Sequence, residues 1–409
     1  MGENRPRLAL LSQDLSQPGN GVRSVVGFLH RVACEAGYEV ELLSAATSAR
    51  DAASLRLLAP GSWERGPQVE RRPEPPLPHD HFGAFLAELE FQRYRPSAAL
   101  SRRLDRCDLV QVVAGTPVWA SLARDTRVPV ALQVASLSRV ERASALGTQR
   151  GLRRLWTAAM TAANARGERR ALARADLVLV ENRAMASWLG SGPAAGRVVL
   201  APPGVDVQRF RPAEEPAAEY WLSVARFADP RKNLGLLLRA YAGAKALRPG
   251  IPRLVLAGSS GPTARDLALA AELGIAADLE LRGGVSEAAL AELYRHAALF
   301  LLSSDEEGWG LVLAEAMASG IPVVATRTHG AAEIVRDDET GFLVPIGDAQ
   351  ALAARALTLH DDPERAGAMR REARRVAETT LALEVCGRRF VAGWQSLRTH
   401  GRGAAAALA

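Results

Sequence analysis

Short apolar runs, set off by polar and glycine-bearing turns, recur along the chain, and several lead into segments with apolar residues at helical spacing. Residues 7–11, 40–43, 108–113, 128–134 and 175–180 read as strands in the first half, and 220–224, 253–258, 279–282, 299–302, 322–326 and 341–344 in the second. Near-continuous apolar runs of this kind suit a parallel sheet covered by helices on both faces. Val25, Phe28, Leu29, Val32 and Ala33 recur at helical spacing, with Gly37 placed to end that helix. Residues 234–247, 311–319 and 385–397 form further helices, and Ser286 caps another after the turn Gly283-Gly284-Val285. Residues 66–81, GPQVERRPEPPLPHDH, are rich in proline and charge and read as an exposed loop. The pattern predicts an α/β protein with doubly wound sheets.

A length of 409 residues suits two domains and is too long for one ordinary core. A hydrophobic fraction of 48% fits a globular enzyme. No apolar run reaches the length of a membrane span, and the N-terminal residues lack a signal-peptide h-region, so a cytoplasmic protein is expected. Cys34, Cys107 and Cys386 are scattered, out of any zinc-ligand spacing, and expected to be buried small hydrophobes. His79 and His81 flank Asp80 without the further ligands a metal site needs. Charge divides unevenly. Residues 1–210 carry 28 basic and 20 acidic side chains, a balance of +8, and the remainder 23 and 25, a balance of −2, which sum to the total of +6. Much of the excess lies in a predicted helix, Arg150 to Arg174, with seven arginines around Trp156. A solvated amphipathic helix is its default reading, with contact to an anionic membrane or an acidic acceptor as the alternative. No nucleic-acid-binding motif accompanies the charge.

Candidate chemistry concentrates in residues 303–324, SSDEEGWGLVLAEAMASGIPVV. A strand, a Gly-Trp-Gly turn and a helix place Glu307 in the turn and Glu315 about one helical turn in, both suited to holding a polyol at the carboxyl end of a sheet. Free amides at the helix start, near Gly310 and Leu311, favour an anion such as phosphate. The chain has only two lysines, and one of them, Lys232, follows Arg226 on a single loop after the strand 220–224. Two fixed cations there suit a leaving group that gains negative charge.

These motifs resemble the donor site of retaining GT-B glycosyltransferases of family 4, in which a Glu, seven residues and a second Glu carry the sugar nucleotide, and Arg, five residues and Lys clamp its pyrophosphate. The resemblance covers residues 200–350 specifically, 8–45 more loosely, and the intervening region hardly at all. It implies two Rossmann-like doubly wound domains facing a central cleft: residues 1–210 on the acceptor side, 211–384 on the donor side, a helix at 385–400 returning to the first domain, and a flexible tail at 401–409. It further implies that Glu307 contacts the transferred sugar, that Glu315 accepts hydrogen bonds from ribose hydroxyls, that the turn at Val285 packs beside the base, and that Gly21 faces the donor. Asn20 stands where the family pairs a second glycine. Gly204, Val205, Asp206, Phe210 and Pro212 match the segment leading into the interdomain linker.

The expected reaction is a metal-independent, retaining transfer of a sugar from a UDP, GDP or other NDP-sugar donor, with no cofactor. Its acceptor would be a small molecule, for example of specialised metabolism, or a cell-envelope glycan or lipid. One departure stands out: the strand that ends in a histidine in many relatives ends here in Val134, Ala135 and Ser136. A GT-B sugar-nucleotide epimerase or hydrolase and a noncatalytic sugar-nucleotide binder are the alternatives.

Overall fold

A computed structural model describes residues 5–16, 21–73, 77–214 and 219–401. The chain forms two compact units, one made of the residues up to Pro202 together with those from Gly387 onward, the other of Pro203–Cys386.

The first unit holds an eight-stranded sheet: β1 (Arg7–Gln13), β2 (Glu39–Ala45), β3 (Val69–Arg72), β4 (His79–Phe82), β5 (Leu109–Ala114), β6 (Val130–Val134), β7 (Leu177–Val180) and β8 (Val198–Leu200). Their spatial order is β3-β4-β2-β1-β5-β6-β7-β8, and every neighbouring pair is parallel except β3 with β4. Leu10 pairs with Leu42 on one side and Gln111 on the other. β5, β6 and β7 are buried along their whole length, which is why they are almost uniformly apolar. The helix Gly21–Glu35 buries the predicted stripe of Val25, Phe28, Leu29, Val32 and Ala33.

Residues 66–81 depart from the expected loop. β3 and β4 form an antiparallel pair at the sheet edge, and both histidines are fully buried. The His81 ring lies between Ser44 Oγ at 2.8 Å and Asp51 Oδ2 at 3.1 Å, and Arg72 binds Asp51 at 3.1 Å and Asp14 at 2.9 Å. Burial alone would raise the Asp51 pKa, but the hydrogen bonds from His81, Ser54 and Arg72 bring it down to about 2. The charge in this stretch is thus neutralised inside the fold, which composition does not reveal. Cys34 also departs from expectation, since it is exposed while Cys107 and Cys386 are buried.

The second unit holds β9 (Tyr220–Val224), β10 (Leu254–Gly258), β11 (Leu279–Gly283), β12 (Ala297–Leu302), β13 (Val323–Thr326) and β14 (Gly341–Val344). Their order is β11-β10-β9-β12-β13-β14, all parallel. Chain order therefore reverses between β9 and β12 here, and between β1 and β5 in the first sheet. At such a switch point the helices leave to opposite faces and open a crevice at the strands' carboxyl ends.

The helix Leu383–His400 leaves the second unit and joins the first from Gly387. Phe390 and Trp394 are fully buried, Phe390 meets Phe28 edge-on at 5.5 Å, and the Trp394 indole N–H donates to Gln111 Oε1 at 2.8 Å. This polar bond inside an apolar layer fixes the helix in register on the central strand β5. Trp394→Ala is expected to destabilise the first unit by about 3–5 kcal/mol, through the cavity and the orphaned Gln111 oxygen. A lowered urea midpoint for that unit checks it, with Trp394→Phe expected to fall in between.

Candidate active site

The switch point of the second sheet brings together two turns that are distant in sequence. The turn after β9 carries Arg226 and Lys232, and the turn after β12 carries Glu307. They are stitched backbone to backbone and through short side chains: Asp305 N–H donates to Arg231 O at 2.8 Å, Ser303 Oγ to Lys232 O at 2.9 Å, and Asn233 Nδ2 to Asp305 Oδ1 at 2.9 Å. Asn233 takes a left-handed conformation, φ 43°, and its side chain caps the helix Leu234–Leu247 through Leu236 N–H. One residue thus ends the Lys232 turn, starts the helix and ties both to the opposite turn.

At the centre, Lys232 Nζ meets Glu307 Oε1 at 2.7 Å, with 15% and 10% of the two side chains exposed. Charges this enclosed persist only when paired and further hydrogen-bonded, and Ser304 Oγ supplies a second donor to Glu307 Oε1 at 2.6 Å. Ser304 is itself held by Thr326, whose hydroxyl donates to Ser304 O at 2.5 Å. Gly330 N–H donates to Glu307 O at 3.0 Å. A Cβ on Gly330 would stand 2.4 Å from Trp309 O, so only glycine lets the helix His329–Ile334 approach the Glu307 turn this closely.

Arg226 is more open, 44% exposed, and binds Asp229 Oδ2 at 3.2 Å. Arg231 grips the same carboxylate at 2.7 Å and reaches Glu306 at 3.6 Å. Against the upward pull of burial, Arg231 and then Arg226 hold the Asp229 carboxyl below its ordinary range. The Arg226 turn sits on the end of β10, where a Cβ on Gly258 would collide with Ala225 O at 1.9 Å.

Glu315 lies apart from the Lys232–Glu307 pair. It projects from the helix Leu311–Ala318 toward Tyr294 of the neighbouring helix Glu287–Arg295, and the Tyr294 hydroxyl donates to Glu315 Oε2 at 3.0 Å. Burial raises its pKa to about 7, with the Tyr294 bond opposing. At the start of its helix, Gly310 caps at φ 94° and its carbonyl accepts from Leu313 and Ala314 N–H at 2.8 and 3.4 Å. The amides of Leu311 and Val312 thus stand outside the intrahelical ladder, as first-turn donors do.

The remaining candidates are more dispersed. Val285 follows the outer strand β11, one residue before the cap Ser286, whose hydroxyl accepts from Ala289 N–H. Gly21 begins the helix Gly21–Glu35 in the first unit, with open space where a Cβ would stand. Asn20 lies outside the described residues. A cavity of about 670 Å³ is lined by Asp229, Pro230, Asn233, Arg239 and Arg265, but by neither Lys232 nor Glu307. Sequence reasoning did not find Asp229, Ser304, Tyr294, Thr326 or Gly330. Each acts through a contact 21 or more positions away or through backbone proximity, except Asp229 and Ser304, which are short-range partners with no motif of their own.

The family model described as Glycosyl transferases group 1 matches residues 205–376, and that described as Glycosyltransferase Family 4 matches residues 19–209. A D-inositol 3-phosphate glycosyltransferase of Streptomyces scabiei is 30% identical over 389 residues, 88% of this chain and 84% of the relative. Another so named, from Streptomyces avermitilis, is 35% identical over 237 residues, 53% of this chain, so that the match spans about half (51%) of the relative's length. Among solved structures, Anabaena Alr3699/HepE in complex with UDP-glucose superposes with a TM-score of 0.68 at 18% identity, covering 95% of this chain and 99% of that one.

Two outcomes follow from the geometry. The raised Glu315 pKa means that the folded state holds a proton the unfolded chain releases, so this group's contribution to stability falls as pH rises from about 4.5 to about 7 and is level above. Glu315→Gln keeps an acceptor for Tyr294, and its unfolding free energy, read from urea melts, is expected to match wild type near pH 4.5 and exceed it at pH 8 by about 3 kcal/mol. Gly330→Ala is expected to cost about 1–3 kcal/mol by overpacking against Trp309, measured by urea unfolding of the second unit.

Proposed function

The chain belongs to glycosyltransferase family 4, and from that premise we propose that it is a retaining, metal-independent glycosyltransferase moving a sugar from an NDP-sugar to a small-molecule or cell-envelope acceptor. The observation that carries this reading is the enclosed Lys232–Glu307 pair at the switch point of the second sheet. A carboxylate held by an ammonium and a serine hydroxyl keeps its other oxygen available to sugar hydroxyls, while the ammonium contributes positive charge beside the departing diphosphate. Arg226 and the amides of Leu311 and Val312 add donors on the same edge of the sheet.

As the glycosidic bond breaks, negative charge grows on the phosphate oxygen and positive charge on the anomeric carbon. Fixed cations and helix amides stabilise the first, the Glu307 carboxylate the second, and both act more strongly in the transition state than in the ground state. The acceptor hydroxyl attacks from the face that the diphosphate leaves, which retains configuration, and the leaving phosphate accepts its proton. Glu315 binds the ribose hydroxyls. UDP is the first nucleotide to test, because the structural neighbour holds UDP-glucose, and inositol phosphates are the first acceptors, because the relatives are named for one.

Release of NDP from UDP, GDP and dTDP sugars, measured with and without acceptor extracts, tests the proposal. Acceptor-dependent release supports transfer, release without acceptor marks a hydrolase, altered sugar nucleotide an epimerase, and binding without turnover a noncatalytic binder. Glu307→Gln, which keeps hydrogen-bonding partners for Lys232 and Ser304, is expected to lower kcat by about 10²–10³ while leaving the unfolding transition in place. Undiminished turnover in this variant would remove Glu307 from the chemistry.

A further inference from the structure

The helix Gly151–Arg174 carries a feature that glycosyl transfer does not use. Its inner stripe, Met160, Thr161, Asn164, Glu168, Ala171 and Leu172, is buried, and the helix packs on the segment Pro117–Ala123. Before Met160 the helix runs free of that support: Leu152 is 84% exposed, Leu155 67% and Trp156 53%. These three and Ala159 fall at i, i+3, i+4 and i+7, one face of a helix. At 3.6 residues per turn this face points roughly 150° away from the buried stripe. The exposed apolar tip is therefore not the core stripe running on past its cover. It is a second, outward face.

Further along, the same outward side carries Arg166, Arg170 and Arg174, with Arg169 beside them, while Arg153 and Arg154 stand on the opposite side of the first turn and Arg150 precedes the helix; all seven are exposed. Among the described residues none of them takes part in an ion pair, and the one acid on the helix, Glu168, is buried against Ser138, accepting from its N–H at 2.8 Å and its hydroxyl at 2.6 Å. The charge on this face is thus uncompensated. No helix among the described residues is long and apolar enough to cross a membrane.

We propose that the helix Gly151–Arg174 docks the protein on an anionic phospholipid surface, with Leu152, Leu155 and Trp156 entering the headgroup boundary and the arginines meeting lipid phosphates. An apolar, tryptophan-bearing tip joined to unpaired arginines is the pattern of an interfacial helix. A nucleic acid would use the arginines and leave the leucines in water. The proposal goes beyond the donor reading and stands whether or not that reading holds.

Cosedimentation of the full chain with vesicles tests it. The protein is expected to pellet with phosphatidylcholine–phosphatidylglycerol vesicles, and not with phosphatidylcholine alone, in a salt-dependent manner. Leu155→Ser/Trp156→Ser and Arg166→Gln/Arg170→Gln are each expected to weaken binding about tenfold or more. Both pairs are exposed, so the melting temperature should hold and NDP-sugar affinity in solution should be unchanged. No binding to anionic vesicles, equal binding to neutral ones, or binding untouched by the tip substitutions overturns the proposal, as does binding to duplex DNA without binding to vesicles.

Discussion

Two opposite charges, 2.7 Å apart and largely withdrawn from water, set the terms for the second unit. Lys232 and Glu307 would each be costly there alone, because a lone enclosed charge loses hydration without recovering it. Each is tolerable only if the other arrives in place, and so the turns that carry them must be fixed with little freedom. This accounts for the density of supporting contacts. Asn233 ties the Lys232 turn to Asp305, Ser303 and Asp305 bind its backbone, Thr326 holds Ser304, and Gly330 admits the helix that fastens Glu307 from behind. The sheet contributes the remaining constraint. Only at the reversal between β9 and β12 do adjacent carboxyl ends belong to helices on opposite faces, leaving room for both the pair and a ligand.

Glu315 shows how the same fold holds a carboxyl group in a different environment. It lacks a cation in contact, lies against the Tyr294 hydroxyl, and has its pKa raised to about 7 by burial. Glu307, eight positions earlier, meets an ammonium and a serine. Equal chemistry in sequence becomes unequal chemistry in structure because one residue sits in a turn at the switch point and the other inside a helix packed on its neighbour.

The strands of the second unit, the helices at 234–247 and 311–319 and the one capped by Ser286 were legible to within about two residues, since buried parallel strands write themselves as apolar runs and a cap is a short-range signal. The helices Ala264–Glu272, His329–Ile334, Ala349–Asp361 and Pro363–Val376 were not read. The two ends of the Lys232–Glu307 pair were legible as candidates, but their contact was not, because it spans 75 positions and no periodicity records it. The β3–β4 edge was misread for a physical reason. Proline and charge normally mark solvent, yet here Arg72 binds Asp14 and Asp51, and His81 shares Asp51 with it, at the sheet edge. Gly258 and Gly330 carry no sequence signal of their necessity, which lies in a backbone that approaches from elsewhere.

The first unit repeats the switch-point architecture between β1 and β5 but furnishes it differently. Gln13 ends β1, and a Cβ on Gly115, just beyond β5, would lie 3.2 Å from Glu141 Oε1 and 4.0 Å from Gln13 Oε1. At the end of β6, Ser136 bonds Gly115 through its backbone, and Val134 and Ala135 offer no imidazole. Oxygens that accept hydrogen bonds thus gather at the carboxyl ends of β1 and β5. Two arginines of this unit are committed to acids: Arg72 binds Asp14 and Asp51, and Arg142 binds Glu90. The two switch points of this chain therefore differ in kind: an enclosed ion pair stands at the one in the second sheet, and hydrogen-bond acceptors gather at the one in the first.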